Sequence, residues 1–215
     1  DKYTETVFRF NLSWKDGIPD TEVVLNRHAN GRFQCSWLPP AELRNQVNII
    51  DDVKYPVNGR LGAFGCDPYD ADRTRFKGSS MLGFVGITKG SATDLPERDR
   101  NKMFLRYNHR PDTVEEAEED IIKAIVYFSM PILPETNKKS LVTTLYKRGY
   151  RKYVIDNPLK PRSKMSPDDI KYGGISSHAT YIPDQQTALQ SWIYDNIPSS
   201  IDENNIKVPF IEALE

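Results

Sequence analysis

Two acids stand where apolar runs stop. "RLGAFGCDP" is a nearly uncharged run that ends in Asp67 and is broken off by Pro68. "MPILPETN" does the same around Glu135. A strand end held by a sheet keeps a carboxylate still, and hard Mg²⁺ or Mn²⁺ prefers such oxygen ligands. Two carboxylates brought within a few ångströms repel each other, burial raises that cost, and a divalent cation relieves it. Two such ions together hold the attacking water and the leaving oxygen of a phosphodiester. The chemistry these residues point to is therefore metal-dependent phosphodiester hydrolysis. Each acid alone also has a plainer reading. Asp67 before Pro68 suits the start of a turn, and Glu135-Thr136-Asn137 suits a polar loop with Asn137 capping the next helix. Asp70 and Asp72 follow Asp67 closely and are candidates for a further oxygen ligand, against the commoner state of Asp as an exposed loop residue.

Bases cluster beside the second acid. Residues 138–164 hold Lys138, Lys139, Lys147, Arg148, Arg151, Lys152, Lys160, Arg162 and Lys164 against Asp156 alone, a balance of +8 in a chain whose net charge is −1. A basic segment beside a metal site suits contact with a phosphate backbone, which needs no reading of sequence. Lys160, Arg162 and Lys164 lie in "NPLKPRSKMSPDDIKYGG", a Pro-, Ser- and Gly-rich stretch that reads as a mobile loop, and are assigned to DNA contact. Lys138 and Lys139 suit that role or plain solubility equally. Arg73, Arg75 and Lys77, just past the acids, are placed to hold a phosphate near the ions.

The elements that must position these groups follow from the hydrophobic pattern. "TETVFRFNLSW", "TEVVLN" and "ANGRFQCSW" read as strands punctuated by Pro19, Pro39, Pro40 and Pro56, so residues 1–56 are expected to form a β-rich arm or linker subdomain. "RLGAFGC", "SSMLGFVGITKG" and "NKMFLRYNHRP" predict an antiparallel meander. Val114, Ala117, Ile121, Ile125 and Phe128 then fall on one face of a helix, capped by Asp112 or Thr113. Its acids, Glu115, Glu116, Glu118 and Glu119, read as a solvated face that favours the positive N-terminal end. "MPIL" is a short buried strand, "KKSLVTTLYKRG" a helix with Gly149 as its C-terminal cap, and "RKYVID" a last strand. "PDQQTALQSWIYDNI" reads as a late helix with Ala188, Leu189, Trp192 and Ile193 on its core face. The order βββ-α-β-α-β predicts an α/β domain over residues 57–215, with a mixed sheet flanked by helices, and it is the topology of the RNase H-like fold. In that topology the strands ending at Asp67 and Glu135 are neighbours.

Composition excludes little. The chain of 215 residues is long enough to bury a substantial core. Cys35 and Cys66 do not make a disulfide scaffold, and His28, His109 and His178 do not cluster with cysteines at zinc spacing. No stretch reads as a signal peptide or a membrane span.

"GAFGCDPYDADRTR", "YNHRPDTVEEAEEDI" and "ILPETNKKSLVTTLYKRGYRKYVID", taken in order, resemble the C-terminal nuclease domain of phage terminase large subunits. In that family one strand ends in a G-x-D-P-like motif and a later one in an E-x-N-like motif, followed by a helix, a G-Y and a strand. The resemblance implies an endonuclease that cuts concatemeric double-stranded phage DNA in the host cytoplasm, using two Mg²⁺ or Mn²⁺ ions. Asp67 matches its first catalytic acid and Glu135 its second. The implied partners are the packaging ATPase domain, the small terminase subunit and the portal. No Walker A motif of the form G-x-x-x-x-G-K-S/T occurs, so the ATPase half is expected outside this chain. The family's third acid sits in a late D-x-x-D-A-like helix that does not occur before Glu215, so it is expected beyond that residue, and without it metal is expected to bind weakly. Two other readings compete. One is a resolvase- or integrase-like nuclease of the same fold, and the other a non-catalytic DNA-binding or phage structural module.

Overall fold

The computed structural model describes residues 7–68, 83–109, 111–176 and 182–196. The meander forms as its pattern predicts. Strands β6 (Gly62–Asp67), β7 (Gly83–Thr88) and β8 (Met103–Tyr107) pair antiparallel, in the order β8-β7-β6. Alternate residues of β6, Phe64 and Cys66, are buried, as the period of two in a strand requires. Helix α1 (Val114–Phe128) then runs back across the sheet, its start fixed by the Thr113 hydroxyl, which accepts the Glu116 N–H. α1 is antiparallel to β8. Phe128 at its end packs on Phe104 near the start of β8, and Asp120 near its beginning accepts the Tyr107 hydroxyl at the end of β8.

The chain re-enters the sheet as β9 (Ile132–Pro134), parallel to β6 with Phe64 opposite Ile132 and Cys66 opposite Pro134. Helix α2 (Ser140–Lys147) follows. Gly149, at φ +79°, ends it in a left-handed turn, with Gly149 N–H bonded to Tyr146 O and Tyr150 N–H to Leu145 O. That paired closure satisfies the last helical carbonyls, and a side chain is strained in this conformation.

Three findings depart from the pattern. First, the N-terminal strands form no layer of their own. β1 (Phe8–Trp14), β2 (Val23–Arg27) and β3 (Phe33–Cys35) extend the meander through the β3–β8 pair into one mixed sheet, ordered β2-β1-β3-β8-β7-β6-β9. Phe10 stacks on Phe33 at 5.2 Å, and Phe33 meets Phe84 edge-on at 6.5 Å, so the core is continuous from arm to meander. Among the described residues, only the hairpin of β4 (Val47–Ile50) and β5 (Val53–Pro56) stands apart from the sheet. Second, the strand expected over residues 151–156 shrinks to one parallel bridge, Val154 opposite Ile132. Residues Arg151–Tyr153 curl into a 3-10 turn instead, because the Arg151 guanidinium donates to the carbonyls of Val154, Ile170 and Lys171 at 2.8–2.9 Å. Third, helix α4 (Ile182–Asn196) forms, but residues of its expected core face are exposed, Leu189 at 58% and Ile193 at 38%.

The stretch read as a mobile loop is structured. It holds a 3-10 turn, Arg162–Lys164, and helix α3 (Pro167–Tyr172). Ser166 and Asp169 close the start of α3 in a reciprocal capping box, each side chain accepting the other's N–H.

Candidate active site

β6 and β9 bring the two strand-end acids together. Cys66 lies opposite Pro134, so the next residues, Asp67 and Glu135, leave adjacent parallel strands at the same level. Neighbouring strands lie about 4.8 Å apart, so the two carboxylates arise from backbone at that spacing. The Glu135 N–H donates to Cys66 O at 2.8 Å and fixes this register at the strand end. On the other side Glu135 bridges Ile175, whose N–H donates to Pro134 O at 2.9 Å. Gly174 makes this approach feasible. Its φ is +82°, and a Cβ there would stand 2.4 Å from Thr136 Cγ2 and 2.7 Å from Pro134 O. Asp67 is exposed and Glu135 half-buried. Asn137 donates its side-chain amide to Glu135 Oε1 at 2.6 Å, orienting the carboxylate. Asn137 is not the helix N-cap, a position that Lys139 occupies without a side-chain bond.

A third carboxylate lies at the same end of the sheet. Glu118 is only 7% exposed, against the expectation of a solvated acid face. Its Oε2 accepts the Thr144 hydroxyl of α2 at 2.7 Å, while Oε1 is buried without a hydrogen-bond partner among the described residues. Glu119 is also turned inward, to Trp14 and Arg148, and Asp120 is buried against Arg32, Tyr107 and Lys123. The signal for Glu118 is in its spacing. Val114, Glu118, Ile121, Ile125 and Phe128 follow one another at intervals of three and four, so Glu118 occupies a position of the apolar stripe itself. Burial drives the Cys66 thiol well above its ordinary pKa, and the carboxylates of Asp67, Glu118 and Glu135 push it the same way. Among the described residues, no three His, Cys, Asp or Glu side chains form a group that could hold a metal ion directly. Asp70, Asp72, Arg73, Arg75 and Lys77 lie outside the described residues.

The basic segment is less free than its charge balance implies. Lys139 pairs with Asp168 at 2.7 Å and Lys160 with Asp169 at 2.6 Å. Arg148 is taken up by Asp20 and Glu119, and Arg151 by Asp156 and carbonyls. The +8 window ends just before the two acids of α3 that answer it. Arg162 and Lys164 are exposed, and no acid among the described residues pairs with them. Lys138 is exposed as well. A cavity of about 490 Å³ opens next to Glu135, lined by Thr136, Asn137, Lys139, Asp168 and Tyr172 among others, so the Lys139–Asp168 pair sits on its wall.

The Asp169 carboxyl is held down at about 2, first by the Lys160 ammonium and then by the Ser166 N–H. A depressed carboxyl stabilises the folded form above its ordinary value of 3.8 and loses that contribution as pH falls through about 2. The Asp169 carboxyl carbon is therefore expected to titrate by NMR near pH 2, with amide protection in α3 falling over the same interval.

Compared with models of protein families, with curated proteins and with solved structures, the chain matches none of them.

Proposed function

We propose that this chain is a metal-dependent nuclease domain of the phage terminase type, RNase H-like in fold, which cuts double-stranded DNA by phosphodiester hydrolysis. One observation carries the reading: Asp67 and Glu135 leave adjacent parallel strands at one level, locked by the Glu135 N–H to Cys66 O bond. The sheet order supports it. Counting from the start of the meander, the strands run third, second, first, fourth, and Val154 adds a single bridge at the fifth place. The donors also fit a hard cation, being carboxylate oxygens at partly exposed strand ends. Asp67 and Glu135 would hold that cation, which when bound lowers the pKa of its water and steadies charge on the leaving oxygen. The protein's own part is positional. The β6–β9 pair fixes the spacing of the two acids, Asn137 sets the plane of the Glu135 carboxylate, and Arg162 and Lys164 attract the phosphate backbone. Partnership with a packaging ATPase, a small terminase subunit and a portal, and residence in the host cytoplasm, belong to the same proposal. No helix of the described residues is long and apolar enough to cross a membrane.

Among the described residues no three such side chains form a ligand group, and on that observation the rival reading is a DNA-binding module without catalysis. Relaxation of supercoiled plasmid in Mn²⁺, abolished by a chelator and by Asp67→Asn, separates the two. Binding without cleavage supports the module.

DNA contact makes a second expectation. The Lys139–Asp168 pair is 62% and 61% exposed, so it contributes little to stability, and a phosphate can displace Asp168. Asp168→Asn frees Lys139 and is expected to tighten binding of a short linear duplex by up to about fivefold, roughly 1 kcal/mol. Fluorescence anisotropy at low salt measures this, and Lys139→Gln is expected to reverse the gain.

A further inference from the structure

We propose that the cavity beside Glu135 seats one unpaired nucleotide of a nucleic-acid strand, its base stacked on Tyr172 and its phosphate at Lys139. The inference rests on the nucleic-acid reading above and names the form of strand the site takes.

The cavity lies between the start of α2 and α3, and the fold itself builds it. The chain after α3 is held to the end of β9: the Ile175 N–H donates to Pro134 O at 2.9 Å, and the Thr136 N–H donates to Ile175 O at 2.8 Å. The Arg151 guanidinium holds the last turn of α3 through the Lys171 and Ile170 carbonyls at 2.8 and 2.9 Å. The Ser166–Asp169 capping box closes its other end. Val142, buried in α2, supplies an apolar part of the lining.

The lining selects a nucleotide. A volume of about 490 Å³ suits one small ligand or one unit of a chain. Tyr172 supplies a braced ring. It meets Tyr146 edge-on at 5.6 Å, and the Lys171 ammonium stands 5.0 Å from its centroid. A fixed aromatic ring stacks a base with little regard to which base it is. Within a duplex both faces of a base are covered by its neighbours, so the base that reaches Tyr172 has left the stack. Tyr146 is exposed and continues the aromatic surface outside the cavity. Lys139 lines the cavity with Asp168 as its partner, and Asp169 lines it with Lys160 as partner. Acids matched to bases make a poor trap for a bare anion, so the phosphate needs its base alongside. Asn137 also lines the cavity, and its amide donates to Glu135 Oε1 at 2.6 Å. The seated nucleotide is thereby one side chain away from the strand-end acid.

The test is fluorescence anisotropy of the whole chain at low salt with a chelator present. It compares a blunt duplex with the same duplex carrying short unpaired tails, of 3′ and, separately, 5′ polarity. A tailed duplex is expected to bind about tenfold more tightly than the blunt one, the low end of what one stacked base contributes. Tyr172→Leu keeps apolar bulk and removes the ring. It is expected to erase the preference for a tail and leave the affinity for the blunt duplex unchanged. Equal affinity of the parent for blunt and tailed duplexes overturns the proposal. So does a preference that Tyr172→Leu retains, or one that inorganic phosphate abolishes at matched ionic strength. Should Tyr172→Leu not fold, a fluorescent adenine analogue in the tail reports stacking in the parent chain. Its emission is expected to fall on binding, and unchanged emission overturns the proposal equally. A tail preference in a chain that leaves plasmid intact in Mn²⁺ supports the nucleotide seat and removes the nuclease reading alone. A chain that binds neither form of DNA overturns both.

Discussion

Asp67→Asn is expected to reduce Mn²⁺-dependent cleavage of supercoiled plasmid by about a thousandfold or more, equivalent to about 4 kcal/mol of transition-state stabilisation. The substitution keeps the size of the side chain and removes its charge. Asp67 is exposed at the end of β6, so nothing in the core depends on it. Substitutions at such positions usually shift stability by less than about 0.5 kcal/mol. Unchanged melting together with lost cleavage assigns the effect to the site. Glu135→Gln is expected to behave similarly toward cleavage, although it also alters the bond from Asn137. Cleavage by Asp67→Asn at the parental rate removes Asp67 from the chemistry and the nuclease reading with it.

Phe64→Ala is expected to cost the most stability of any change discussed, about 3–5 kcal/mol. Phe64 is 1% exposed and sits at the middle of an aromatic cluster. It stacks on Phe84 at 4.9 Å, meets Phe128 of α1 edge-on at 5.7 Å, and lies 5.8 Å from Phe104. Gly86 leaves room for this packing, since a Cβ there would come within 2.6 Å of Phe104 and 2.8 Å of Phe64. Removing the ring opens a cavity where β6, β7, β8 and α1 meet, and rigid neighbours collapse only partly. A domain of this size loses roughly 2–4 °C of melting temperature per kcal/mol, so a fall of roughly 10 °C is expected. Denaturant titration followed by near-UV circular dichroism checks it. A loss below about 1 kcal/mol shows that the cluster relaxes around the gap. The same change is expected to weaken metal binding, because Phe64 lies three residues before Asp67 on the strand that holds it.

Both predictions draw on features that local pattern makes legible. The alternation of β6, the apolar stripe and Thr113 cap of α1, and the Gly149 stop of α2 arise from neighbours two to four residues apart. Such contacts are written into short windows of sequence. The placement of Asp67 and Glu135 at strand ends is of this kind as well. Glu118 was legible too, by its place in the three-four spacing, but its acid neighbours masked it. A run of Glu at a helix start favours the positive helix end whether or not one member faces inward.

What the sequence alone determined is therefore the meander, α1, β9 and α2, and the two acids at the ends of their strands. Tertiary structure decided the rest. It joined the N-terminal strands to the meander through Phe33 opposite Tyr107, a pairing of residues more than seventy positions apart. It turned Arg151 onto the carbonyls of α3 and so curled an expected strand into a turn. It set Asp168 and Asp169 against Lys139 and Lys160, leaving the basic segment partly neutralised. Pairing between distant segments depends on how the whole chain closes, because the entropy of closing a loop grows only slowly with its length and selects no particular partner. Burial and hydrogen-bond satisfaction make that selection, and they exist only once the sheet has formed.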